Sequence, residues 1–475
     1  MTKSLTLTLA FLFAVLCTGI SATASDTGLY ARVLRQTAQT TMRPARFNPY
    51  PVGPLAEQYR TTLLDRFLRY VTYNSQSQED VQITPNQIET AQKLFAEIQQ
   101  MGFDKDVTVL LSEHYYIFVD IPSNLPQKAP VLGFSAHYDV TPDVPAENVV
   151  AQVIKSYDGQ PIELKNGQRL DPASERDAYL KTQIGHTIVT SDGTTNLGAD
   201  DKAGLSIMMT LLDTLAHHPE IQHGPLQIVL APNEDVGRAA EFIEEVPYRP
   251  EIAFDFDGGS NGEIMMANFN ARQTIFTVTG HPGHQSAAAT NGYRNAWTPA
   301  CVLGASICSE DLLPNNSCGE QGYVELHHMY YDKGNVSTAH LDIRERGYNS
   351  SEMDDWEQRA DSIADLVSQQ FDVNISRKTV NNYNNVTEVS HPKTLEVTTR
   401  ACRAAGVTPN FKSVRAGTTA AMFVTKGLVG AYTVFTGQNN EHNFTEWLSE
   451  DDMFKSYLVA LHIVDQVSRL QEEDK

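Results

Sequence analysis

The spacing of apolar residues changes along the chain, and each change marks a different kind of element. The stretch Leu63-Leu64-Asp65-Arg66-Phe67-Leu68-Arg69-Tyr70-Val71 places apolar residues at i, i+3, i+4 and i+7, the spacing of a helix that buries one face. A second helix is predicted from about Asn86 to Met101, opened by Thr84-Pro85 and closed by Gly102. Three short β-rich runs follow: Val107 to Leu111, Tyr116 to Asp120, and Val131 to Phe134. The chain then alternates helix Gly204 to Ala216, strand Leu226 to Ala231, helix Ala239 to Glu245 and strand Ile252 to Asp257. That rhythm predicts an α/β layer with a partly parallel sheet.

After Phe269 the order of elements changes. Strand Gln273 to Thr279, helix Trp297 to Leu312, strands Tyr323 to Tyr331 and Val336 to Ile343, and helix Met353 to Phe371 make a β-α-β-β-α unit. Such a unit closes on itself as two helices on an antiparallel sheet. The α/β rhythm resumes from about His391. The chain therefore reads as a catalytic domain in two parts, 57–271 and 386–475, interrupted by a lid over 272–385. Residues 25–56, rich in Thr, Arg and Pro, form an irregular lead-in.

The first 24 residues read differently again. One Lys, an apolar run from Leu5 to Ile20 and then Ala22-Thr23-Ala24 give the order of a secretory signal peptide, with cleavage expected after Ala24 and an exported product. As a membrane anchor the run is short and carries Thr6, Thr8 and Thr18, so no membrane association is expected once it is removed. Cys17 leaves with it. Cys308 and Cys318 could then close a short disulfide loop, or they and Cys301 and Cys402 could all stay as thiols; spacing leaves both open. The chain has no CxxC pair on which to build a cysteine zinc site.

Composition narrows the partners. The 475 residues are 41% hydrophobic and 20% charged, as in soluble globular proteins, and 36 Lys plus Arg stand against 58 Asp plus Glu for a net charge of −22. A surface that acidic repels phosphate backbones and anionic lipid, and favours cations wherever carboxylates converge.

Five places offer imidazole or carboxylate at a strand end or helix start, where loops gather over an open α/β sheet. They are His137-Tyr138-Asp139, Gly198-Ala199-Asp200-Asp201, Asn233-Glu234-Asp235, Asp255-Phe256-Asp257 and Glu441-His442. Each has a plain alternative: a surface histidine, or an Asp pair that only caps a helix. Adjacent carboxylates just past an apolar strand, however, repel one another unless a cation or a proton relieves them. Five such places in succession point to a metal centre.

The residues in and around these places resemble the peptidase T family of tripeptide aminopeptidases, in the dizinc exopeptidase and deacylase superfamily that includes aminoacylase and carboxypeptidase G. The resemblance rests on Leu64-Asp65-Arg66-Phe67-Leu68, His137 through Asp143, Thr190 through Gly204, Ala231 through Gly237, Asp257-Gly258-Gly259, Glu263 through Ala271, and Phe435-Thr436-Gly437. It spans about residues 57 to 470. It implies a three-layer α/β catalytic domain of the zinc-exopeptidase type with an inserted α+β, ferredoxin-like lid. It also implies two Zn²⁺: His137 and Asp257 on one, Asp235 and His442 on the other, and Asp200 bridging. Asp139 would orient His137, and Glu234 would be the general base. In the lid, Gly280-His281-Pro282-Gly283-His284 makes His284 the match to a histidine that stabilises the oxyanion. Arg344 and Arg415 match positions that grip substrate carboxylate, although each could equally be an ordinary salt-bridge arginine. Short peptides are the implied substrates, with a homodimer through the lid as a possible assembly.

Three departures from the family pattern stand out. Its Glu-Glu pair reads Glu234-Asp235, a ligand one methylene shorter. Its Arg-Gly-Gly-Thr-Asp-Gly reads Arg415-Ala416-Gly417-Thr418-Thr419-Ala420, with a carboxylate lost near the substrate pocket. Its close members are cytoplasmic, against the export expected here. A dipeptidase, a carboxypeptidase or an N-acyl amino-acid deacylase of the same superfamily is the alternative activity. A non-catalytic peptide-binding protein would lack a ligand or the base, and none is missing.

Overall fold

The computed structural model describes residues 52–332 and 337–470. The leader over 1–24 and nearly all of the lead-in over 25–56 lie outside the described residues.

An eight-stranded mixed sheet runs in the order Thr108–Leu111, Ile117–Ile121, Leu226–Ala231, Leu132–His137, Ile252–Gly258, Tyr432–Phe435, Glu263–Asn268, Asn410–Val414. Leu132–His137 lies parallel to both of its neighbours and is buried along its whole length. A strand covered on both faces needs the unbroken Leu-Gly-Phe-Ser-Ala run it has, not an alternation. Because Leu132–His137, Leu226–Ala231 and Ile252–Gly258 all point the same way, their C-terminal ends open at one edge of the sheet.

The helix Ala199–His217 packs between this sheet and the helices Val52–Tyr70 and Glu450–Val467. Its apolar residues surround it, as a helix with no solvent face requires. A smaller sheet, ordered Gln438–Asn439, Trp447–Ser449, Ile188–Ser191, Ala151–Ile154, sits beside the open edge of the main one.

The lid is a four-stranded antiparallel sheet in the order Tyr323–Tyr330, Thr338–Gly347, Asn270–Thr279, Asn374–Tyr383. Helices Trp297–Ile307 and Ser350–Phe371 cover one face, around Phe276, Val278, Leu303, Leu341 and Ile343. The architecture is the expected α/β catalytic domain with an α+β lid.

Two local expectations are corrected, and one strand is added. Ala239 to Glu245 is not a helix: only Ile243–Glu245 makes a 3-10 turn, and Ala239, Ala240 and Ile243 bury against Tyr116 and Phe118 from an irregular loop. The first lid helix stops at Ile307 and continues as the turns Glu310–Leu312 and Pro314–Asn316, since Pro314 cannot extend it. The added strand, Asn374–Tyr383, carries no apolar alternation because it is a mostly exposed, mostly polar edge. Cys301, Cys308, Cys318 and Cys402 are all unpaired thiols. Among the described residues no helix is long and apolar enough to cross a membrane.

Candidate metal centre

The open edge of the sheet gathers five chain segments. His137 ends one strand, Glu234 and Asp235 follow the next, and Asp257 lies near the end of the third. Asp200 stands at the start of the helix Ala199–His217, and His442 in the loop between the strands Gln438–Asn439 and Trp447–Ser449. His442 and Asn233 both hold left-handed backbone, φ 57° and 58°, conformations that non-glycine residues adopt only when their surroundings insist.

The two histidines meet the two oxygens of one carboxylate. His137 Nε2 is 3.0 Å from Asp200 Oδ1, and His442 Nε2 is 3.2 Å from Asp200 Oδ2. Asp257 Oδ1 lies 3.6 Å from His137 Nε2, and Asp235 Oδ1 lies 2.7 Å from His442 Nε2. Glu234 Oε2 stands 4.0 Å from His137 Nε2. Three sets of potential ligand atoms therefore converge within 4.8 Å: His137–Asp200–Asp257, Asp200–Asp235–His442 and His137–Glu234–Asp235.

The electrostatics are those of crowded acids. Burial pushes Asp235 and Asp257 well above the usual carboxylate range, and the Asp200 charge pushes them further. Burial also raises Glu234; His137 draws it down, and Asp200 and Asp139 push it up again. Asp200 goes the other way, because hydrogen bonds from His137 and His442 outweigh its burial. The same bonds from Asp200 and Asp235 push His442 up to about 11. Both oxygens of Asp235 are buried without a well-aligned hydrogen bond. Carboxylates packed this closely call for protons or cations, and the mixture of imidazole nitrogen and carboxylate oxygen suits a zinc-like ion.

A supporting layer fixes these groups. Asp201 accepts the His137 backbone N–H at 3.1 Å and that of Gly204 at 2.9 Å. Gln438 Nε2 donates to Asp257 Oδ1 at 3.3 Å. Gln87, buried on the helix Pro85–Gln99, donates to Asn233 Oδ1 at 2.9 Å, beside Glu234. Glu446 accepts the N–H groups of Leu197, Gly198 and Asp200. Gln87, Gln438 and Glu446 are not among the residues the sequence points to: Gln438 and Glu446 show only as polar residues in otherwise buried stretches, and Gln87 sits among exposed or half-buried neighbours with no signal at all.

The substrate-side candidates lie elsewhere. His284 is exposed in the lid, with Nδ1 2.7 Å from Ser286 Oγ, and belongs to none of the three ligand sets. Arg344 is half-buried on the lid strand Thr338–Gly347. Arg415 donates to the carbonyls of Gly319 and Gln321, each at 2.9 Å, and to Ser317 Oγ at 2.7 Å, and lies over the Phe269 ring. Thr419, at the departure from the family pattern, is buried with its hydroxyl beside Glu234.

Imidazoles and carboxylates converge at the open edge of a mixed sheet with a lid beside it, and the family and relatives that this chain matches make it a metal-dependent exopeptidase. The profile of peptidase family M20/M25/M40 matches residues 198–466, and the chain belongs to that family. Peptidase T of Bacillus licheniformis is 31% identical over 416 residues, 85% of this chain and 98% of its own length. Among solved structures, the aminopeptidase PepT of Bacillus cereus superposes with a TM-score of 0.63 at 17% identity, over 86% of this chain and 99% of that one. A dinuclear metal-binding M20 peptidase of Bacillus subtilis does so with a TM-score of 0.56 at 11% identity, over 86% and 99%. These two share the fold.

The comparisons also correct the expected export. The peptidase T relatives are cytosolic enzymes. The export reading rested only on the local order of a Lys, an apolar run and Ala22-Thr23-Ala24, in a segment outside the described residues.

Proposed function

We propose that the protein is a dizinc aminopeptidase that removes the N-terminal residue from short peptides, tripeptides among them. The observation that carries this reading is Asp200, which offers one oxygen to the His137 side and the other to the His442 side. His137, Asp257 and Asp200 would hold one ion, and Asp235, His442 and Asp200 the other. When bound, the pair would polarise the scissile carbonyl and lower the pKa of water.

The rest falls to the chain. Glu234 takes the proton of the attacking water and returns it to the leaving amine, a task suited to a carboxylate whose burial has raised its pKa. Asp139 fixes the His137 ring from behind, with Oδ1 3.3 Å from Nδ1. His284 reaches the developing oxyanion only if the lid closes, since it stands exposed outside the ligand sets. Arg344 is the carboxylate grip of the lid. Arg415 could join it only by giving up its bonds to Gly319, Gln321 and Ser317.

The test is metal analysis combined with a substrate panel. Two zinc ions per chain, with chelator-sensitive release of the first residue from free tripeptides and none from N-acetylated ones, is the expected result. Preferential hydrolysis of the acetylated peptides would favour the deacylase alternative, to which the missing acid at Thr419 lends some support.

A further inference from the structure

We infer, on the two-ion reading above, that Glu446 is the positioning residue that lets Asp200 serve both sides, and that it governs occupancy of the His442 side. Glu446 is fully buried. Its Oε2 accepts the N–H groups of Leu197 at 2.8 Å and Gly198 at 2.6 Å, and its Oε1 accepts that of Asp200 at 2.9 Å. These donors run from Leu197 through Gly198, whose φ of 74° turns the chain into the helix, to Asp200. One carboxylate thus spans the turn that delivers Asp200. Three N–H donors satisfy a buried carboxylate that would otherwise be costly.

The other end of the strap is equally fixed. The Glu446 N–H donates to the Asn443 carbonyl at 3.1 Å, and its own carbonyl accepts Thr190 Oγ1 at 2.9 Å. Trp447, the next residue, pairs with Thr190 in the small sheet. His442 lies four residues earlier on the same turn. A single side chain therefore ties the loop bearing His442 to the loop bearing Asp200.

The two ion positions depend on this tie unequally. His137 and Asp257 stand on strands of the main sheet, so the His137 side has one ligand off the strands, Asp200 at the helix start. The His442 side has three: Asp200, His442 and Asp235. A slack strap moves two of those three and only one ligand on the other side.

The experiment is zinc titration of the full chain and of Glu446→Gln, with bound ions counted by mass spectrometry. In the variant one carboxamide position presents N–H to N–H donors and cannot hold all three amides. Wild type is expected to take two ions, and the variant to lose about 10- to 100-fold affinity for one while the other holds. Unchanged affinities, or equal loss of both ions, would overturn the role of Glu446 and leave the two-ion reading standing. Wild type that takes only one ion would overturn that reading itself, and the inference with it. Should the variant fail to fold, hydrogen exchange of metal-stripped wild type decides: slow exchange at Leu197, Gly198 and Asp200 supports the strap, and fast exchange there refutes it.

Discussion

Asp139 reaches from one strand end to the next and accepts the backbone N–H of Glu234 at 2.9 Å. Its other oxygen accepts the N–H of Asp235 at 3.2 Å, and its first also lies 3.3 Å from His137 Nδ1. A residue expected only to orient one imidazole therefore sets three groups at once: a histidine, the proposed base and a carboxylate ligand.

Replacing Asp139 should accordingly disturb binding and turnover together. In Asp139→Asn the carboxamide cannot accept from both amides, so zinc affinity is expected to fall about 10- to 100-fold, with a larger loss in kcat. Calorimetric titration of the stripped variant checks this. An affinity equal to wild type would show that His137 is oriented by something else.

Glu234 should behave in the opposite way. Of the carboxylates within 4 Å of His137 Nε2 it is the most distant, at 4.0 Å, and removing it leaves both Asp200-centred ligand sets intact. Glu234→Ala is expected to bind two ions and to lose at least about 100-fold in kcat, the usual cost of deleting a general base. Loss of metal with loss of turnover would make Glu234 a ligand instead.

Most of this centre could be read from the sequence because strand ends announce themselves. The run Val131 to Ala136 stops at His137, and Leu226 to Ala231 stops before Glu234 and Asp235, so each ligand marks a change from apolar to polar. Glu446 gives no such sign: it precedes Trp447 among other acids, and its three partners lie some 250 positions earlier in the chain. The edge strand Asn374–Tyr383 is hidden for a related reason, since main-chain pairing with Asn270–Thr279 holds it without an apolar face. Local pattern reveals what burial dictates, and long-range polar ties leave little trace in it.

Gly204 shows how tightly the acidic loop is seated. A Cβ there would stand 1.8 Å from the Phe256 carbonyl oxygen and 2.5 Å from Asp201 Oδ1. Neither can yield, since one is backbone of a central strand and the other belongs to a carboxylate whose second oxygen, Oδ2, holds the His137 N–H. Gly204→Ala should therefore lower stability by at least about 1–3 kcal/mol despite the better helix propensity of Ala. A melting temperature at or above that of wild type would contradict the close approach of helix and strand.

The lid carries a pH-dependent liability at Glu345. Its side chain is buried in the strand Thr338–Gly347, and Oε2 has no hydrogen-bond partner. Burial and the nearby Glu357 push it up to about 7, although Arg272, Arg377 and Arg346 pull the other way. The Arg272 and Arg377 guanidiniums each spend a bond on Glu357 at 2.8 Å, which leaves Glu345 poorly compensated. A carboxyl whose pKa is higher in the folded than in the unfolded chain favours folding at low pH. That contribution is complete below about pH 4.5 and is lost as the pH rises through about 7. Glu345→Gln removes the dependence, so it should stabilise the protein at pH 8 by up to about 3 kcal/mol and change little near pH 5. Urea unfolding of both proteins at the two pH values measures the difference. A gain of equal size at both would assign it to packing and not to charge.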